Sequence, residues 1–182
     1  MACDLTSGRK VPCKDVVGGI TRLWFVDFGD LGTITEVDDE ITDMSGTFSA
    51  YQYDVKGTST LEQTVTSSRE NGTTFFSQAL TLSLPKLSKE DNKELKLMSY
   101  GRPHIAIEDY NGNFMLCGLE HGADVTGGTI ATGTAMGDFS GYTLNFTAME
   151  LKPANFISGG TSADPFAGMT SATVTVVVGT NS

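Results

Sequence analysis

Positive charge is scarce in this chain: 12 Lys and Arg stand against 22 Asp and Glu, a formal net charge of −10. A globally acidic surface argues against a protein that grips nucleic acid or an anionic membrane. No apolar run approaches the roughly twenty residues a membrane-crossing helix needs. The opening stretch "MACDLTSGRKVPCKDVVGG" lacks the apolar core of a secretory signal. The expectation is therefore a chain made in a cytoplasm and retained there unless a dedicated route exports it. Cysteine is also sparse. Cys3, Cys13 and Cys117 are an odd count without Cys-x-x-Cys spacing, which suits free thiols in a reducing compartment.

Catalytic constellations are missing too. There are two histidines, His104 and His121, and no Gly-x-Ser-x-Gly. The glycine-rich "GGTIATGTAMGDFSG" lacks the Lys-Ser/Thr pair of a phosphate-cradling loop, and no helix pattern follows it. Cys117 and His121 are close in sequence, but Cys117 falls in a strand pattern, and a four-ligand zinc site would have to borrow Cys3 or Cys13. "DYNGNFMLCGLE" sets Asp109, Asn111, Asn113 and Glu120 at ligand positions of a calcium loop. Phe114 stands where that loop needs glycine, and the flanks read as strands. Turn chemistry explains the cluster. The expectation is no enzyme, no metal and no cofactor.

What the chain does hold is β pattern. Residues 1–19 read as a polar arm. "ITRLWFVDF" (20–28), "TFSAYQYDV" (47–55), "YTLNFTAMEL" (142–151) and "SATVTVVVG" (171–179) read as strands. "HIAIED" and "FMLCGLE" form a hairpin about Asn111-Gly112. One helix is expected over 88–101: Ser88 is its N-cap, Asp91 suits the first turn, and Leu87, Leu95, Leu97 and Met98 form an apolar side. Gly101 is expected to end it in a left-handed conformation, with Pro103 preventing resumption. Asp27, Asp30, Glu36, Asp38, Asp39, Glu40 and Asp43 form an acidic run, open to reading as a solvated loop, a metal site or a repelling surface. The glycine-rich 121–141 reads as an extended, mobile loop. The fold class is mainly β, a sandwich or partly closed barrel with one flanking helix.

The longest feature is "TSTLEQTVTSSRENGTTFFSQALTLSLP", residues 58–85. It reads as one hairpin with arms of about twelve residues, where strands of about five or six are usual. A two-residue turn at Asn71-Gly72 would set Glu70 opposite Thr73 and Leu61 opposite Leu82. One face then has an apolar base, with Leu61, Val65, Phe76, Leu80 and Leu82 needing cover from a core or a neighbour. The other face carries Thr60, Glu62, Thr64, Thr66, Ser68, Glu70, Thr73, Ser77 and Thr81, and no Lys or Arg. A lone hairpin this long is marginal in water and has free edges, so it should be poorly ordered until neighbouring copies supply strands. Side-by-side copies would close into a barrel, with the hydroxyl-acidic face lining a bore and the apolar residues at subunit contacts.

The order of parts resembles the tail tube proteins of tailed bacteriophages, which share their fold with type VI secretion tube proteins. The resemblance covers most of residues 15–157: the arm, "GGITRLWFVDF", the long hairpin, the Ser-capped helix, and "DYNGNFMLCGLEHGADVTGGTIATGTAMGDFSGYTLNFTAMELKPANF". It implies a structural virion protein assembled in the host cytoplasm. Hexameric rings would stack into a tail tube that conducts DNA without binding it tightly, and other tail proteins would be partners. Residues 158–182 lie outside the resemblance. The competing reading is a β-sandwich module for virion decoration or carbohydrate binding, which would need an exposed aromatic platform. Trp24, the single tryptophan, sits in an apolar strand where a core is its expected home.

Overall fold

The structure is a computed structural model that describes residues 7–10, 13–55 and 58–179. Cys3 and residues 180–182, and part of the expected arm, lie outside the described residues. The strands are β1 (Ile20–Val26), β2 (Ile34–Val37), β3 (Glu40–Met44), β4 (Thr47–Asp54), β5 (Thr60–Ser68), β6 (Thr73–Pro85), β7 (His104–Asp109), β8 (Phe114–Cys117), β9 (Asp124–Ala131), β10 (Gly141–Glu150), β11 (Asn155–Ile157) and β12 (Thr173–Val178), with one helix, α1 (Lys89–Tyr100). They form an eight-stranded sheet in the order β12-β4-β1-β7-β8-β11-β3-β2 and a four-stranded sheet in the order β5-β6-β10-β9.

Alternation in β1 explains how the layers stack. Leu23 and Phe25 point to one side and join Ile105, Ile107, Leu80, Leu82, Tyr142, Leu144 and Phe146, the core between the two sheets. Trp24 and Val26 point to the other and meet Ile41, Met44, Phe48, Leu116, Phe166 and Met169. This second core requires the large sheet to curl. Laid flat, β3 and β4 would lie five strand spacings apart, roughly 24 Å, yet the two residues joining them reach at most about 11 Å. That linker leaves no room for a side chain at Gly46, where a Cβ would stand 2.0 Å from the Asp30 carbonyl oxygen. Residues beyond 157 complete the roll. Phe166 packs edge-on against Phe48, and β12 runs parallel to β4. Asp43 accepts hydrogen bonds from the Ser171 hydroxyl and N–H, which hold its carboxyl down at about 2.

The helix begins as its sequence dictates: the Ser88 hydroxyl accepts the Asp91 N–H, and Leu95 is buried against the inter-sheet core. Its end differs from expectation. Gly101 is extended (φ −99°, ψ 178°), not left-handed, and its N–H serves Leu97 and Met98 carbonyls. Leu97 is 56% exposed and stays out of the apolar side. A second correction falls in 121–141. This segment holds β9, eight residues paired antiparallel to β10, and a Cβ at Gly128 would lie 2.7 Å from the Thr143 carbonyl oxygen. The glycines there admit close strand approach.

The acidic run belongs to the large sheet. Asp38 and Asp39, both at positive φ, form the two-residue turn between β2 and β3, and Glu36 pairs with Lys152. At the other hairpin, Asp109 accepts four hydrogen bonds from Asn111 and Asn113. That Asp109 turn also anchors the arm, since Asn111 bonds both the N–H and the carbonyl of Val17.

Candidate assembly surface

The hairpin β5–β6 pairs two residues out of the expected register. Leu61 faces Leu80, Glu62 faces Ala79 and Ser68 faces Thr73, leaving Arg69–Gly72 as a four-residue loop. The turn explains this. A two-residue hairpin turn of the favoured type needs positive φ at both central residues. Gly72 has it (φ +64°) and Asn71 does not. Instead the Ser68 hydroxyl accepts the Asn71 N–H and starts the longer loop. Because side chains alternate with period two, a two-residue slip changes partners but not faces.

The face assignments therefore stand, with one exception. Thr60, Glu62, Thr64, Thr66 and Ser68 share one face of the small sheet with Thr73, Ser77 and Thr81. Glu70 is removed from that face and sits in the loop. The same face continues across β10 and β9 through Thr143, Asn145, Thr147 and Met149, then Thr129, Gly127 and Asp124. Thr81 donates to Asn145, and Thr126 and Thr147 bond through their hydroxyls. None of the four strands contains Lys or Arg. Asp124 is the residue sequence reading missed, because its strand was read as a loop. It ends the cross-strand row Glu62–Ala79–Thr147–Asp124, which thus carries a carboxylate at each edge.

The apolar residues divide. Leu80 and Leu82, expected at subunit contacts, are 1% and 0% exposed in the chain's own core, with Leu61 packed against it. They are core because β6 pairs on both sides, with β5 and with β10 over ten residues, so the hairpin is no free-standing arm. Beyond Leu61 and Leu80 the apolar contact gives way to polar ties. Buried Gln78 accepts the Gly118 N–H and donates to the Lys152 carbonyl, and Gln63 accepts the Ala154 N–H. Past these ties Val65 is 58% exposed beside half-buried Phe76. Only these two remain uncovered candidates for contact. The edges of the small sheet, along β5 and β9, have no strand beside them among the described residues.

One cluster has metal-like spacing: ligand atoms of Glu120, His121 and Glu150 lie within 4.8 Å of one another. Both Glu150 oxygens are already engaged. Oε1 accepts the N–H groups of Glu120 and His121, and Oε2 meets His121 Nδ1 at 3.0 Å. The arrangement clamps the turn after β8. The hydrogen bond to Glu150 raises the His121 pKa. Its stabilising effect is thus full below the usual histidine pKa and lost as pH rises through the raised one. An NMR titration should find the His121 midpoint above that of an unstructured histidine, and Glu150→Gln should return it. An unshifted midpoint would refute the clamp. His104 is held neutral: the Gly29 N–H donates to its Nε2, its Nδ1 faces the Gly118 carbonyl, and burial lowers its pKa. Burial also pushes Cys117 up to about 12, with Glu150 adding to the shift, so this thiol is a poor nucleophile and metal ligand. Among the described residues no helix is long and apolar enough to cross a membrane. No protein-family model, no curated protein and no solved structure matches the chain.

Proposed function

We propose that the chain is a structural subunit that assembles side by side into rings, the small sheets joining into one continuous barrel. The observation that carries this is the small sheet itself. One face is packed on the body, and the other is hydroxylated, acidic and free of Lys and Arg. Among the described residues neither edge has a strand beside it. Its four strands alternate in direction, so β5 of one copy meets β9 of the next antiparallel, and cyclic repetition leaves no edge. Six copies, the number implied by the tail-tube resemblance, make a barrel of about 24 strands. Tilted by roughly 40°, it measures on the order of 45–50 Å across between backbones. Such a bore admits a DNA duplex and, lacking cations, gives its phosphates nothing to hold. Stacked rings would form the tail tube of a virion, assembled in the host cytoplasm with other tail proteins. Trp24, fully buried, offers no platform for the carbohydrate-binding alternative.

Two measurements test the proposal. Sizing and negative-stain microscopy across a concentration series should yield rings with a central hole or tubes built from them. A chain that stays monomeric throughout would sink it. Hydrogen exchange on the dilute subunit should find β6 and β10 slow and the outward-facing amides of β5 and β9 fast. Those edge amides should gain protection on assembly. Protection of both edges before assembly would mean they are covered some other way.

A further inference from the structure

We propose that β12 is an association edge, pairing antiparallel with β12 of a second copy about a two-fold axis. The contact lies on the large sheet, so it does not depend on the ring reading, which uses β5 and β9.

The large sheet ends in two strands, β2 and β12, with no strand on their outer side among the described residues. β2 has four residues, one of them Glu36, which pairs with Lys152. β12, Thr-Val-Thr-Val-Val-Val, has six, all β-branched and none charged. Its register on β4 runs through six consecutive pairs without a bulge. An edge of this length with no charge, proline or bulge is a template for another strand. Its side chains are incompletely covered. Val174 and Val176 pack against the second core yet are only half-buried, while Val177 is 40% exposed and Val178 61%.

Charge and closure select the occupant. The chain carries a formal net charge of −10, so two copies repel, and an uncharged edge is where they approach at least cost. A foreign strand laid along β12 would only move the open edge outward. Pairing β12 with itself joins two edges and leaves neither open, and as an isologous contact it closes at a dimer. The two-fold axis stands perpendicular to the sheet and keeps each face on its own side. Opposed residues must share a face, which restricts the register to steps of two. The register centred on Val176 sets Thr175 opposite Val177 and Val174 opposite Val178, covering the most exposed valine of the strand.

A single cysteine tests the axis. In a chain whose Cys3 and Cys13 are serine, with Cys117 buried, Val176→Cys should form a covalent dimer on mild oxidation, because opposed residues of antiparallel strands come within about 5 Å. Thr173→Cys, roughly 20 Å from its counterpart in this register, should not. Dimer yield on a denaturing gel should rise with salt, which screens the repulsion between copies. Adding Thr175→Glu should lower that yield several-fold while leaving the unfolding midpoint of the dilute subunit unchanged, since Thr175 is exposed in the single chain. No dimer from Val176→Cys at any salt, equal dimer from Thr173→Cys, or a yield untouched by Thr175→Glu would overturn the contact. In the unaltered chain, hydrogen exchange of the outward amides of β12 should slow as concentration rises. Fast exchange at every concentration would overturn the contact whatever the variants do, leaving the edge to a foreign strand. The ring reading is judged separately by microscopy, and its failure would leave each of these outcomes as stated.

Discussion

If the chain assembles into tubes as proposed, replacing Glu62 and Asp124 together with lysine should leave the subunit folded and the tubes assembled, yet make them retain DNA, most strongly at low salt. Both side chains are exposed on the hydroxylated face, and neither forms an ion pair or side-chain hydrogen bond among the described residues. Folding therefore loses little; surface substitutions away from such contacts usually fall within about 0.5 kcal/mol. In the proposed ring the bore would change sign locally, because every subunit would repeat the substitution. Each new phosphate contact releases counterions and steepens the dependence of log K on log salt by about 0.9. Purified tubes should then bind duplex DNA with a steep salt slope where unaltered tubes bind none, and particles carrying the variant should eject slowly. Screening within about 10 Å at 0.1 M salt weakens the effect there relative to dilute buffer. If the double variant fails to assemble, those carboxylates sit at subunit contacts and the exposed face of the small sheet is not the lumen.

The second large effect concerns stability. Leu82→Ala should lower the unfolding free energy of the single subunit by about 2–5 kcal/mol, the range for a buried leucine truncated in a packed core. Leu82 is fully enclosed between the two sheets, among Leu23, Ile105 and Leu144. Urea unfolding of the dilute subunit measures this directly, as a lower midpoint at unchanged slope. Val65→Ala is the matched comparison: with its side chain in solvent, it should leave the subunit midpoint nearly unmoved. Equal, small effects from both would return Leu82 to the subunit contacts and remove β6 from the core.

Much of this architecture was readable locally. β1, β4, β10 and β12 announce themselves by alternation and by β-branched and aromatic content, properties a strand needs whatever its neighbours. The helix start was readable because Ser88 and Asp91 act on adjacent backbone. The two faces of β5 and β6 survived a wrong register because the error was two residues, the period of a strand. The register itself was not readable. It depended on whether Asn71 takes positive φ, and Asp38-Asp39, with no glycine, adopts the turn that Asn71-Gly72 declines. Only the chains on either side settle such a choice.

The sequence by itself determined the chemistry of the surfaces: an acidic chain, and a hydroxyl-rich strand face without cations. Those follow from residue identity and from alternation, which are local. Tertiary structure alone decided which of these residues are buried and which face solvent. It set β6 between β5 and β10, making Leu80 and Leu82 core, and it drew β9 out of a glycine-rich segment by pairing it with β10. It also curled the large sheet so that Phe166 and Met169 seal it. Each is a pairing of residues far apart in the chain, and backbone hydrogen bonds and burial, which reward such pairings, leave almost no mark on the local pattern of either partner.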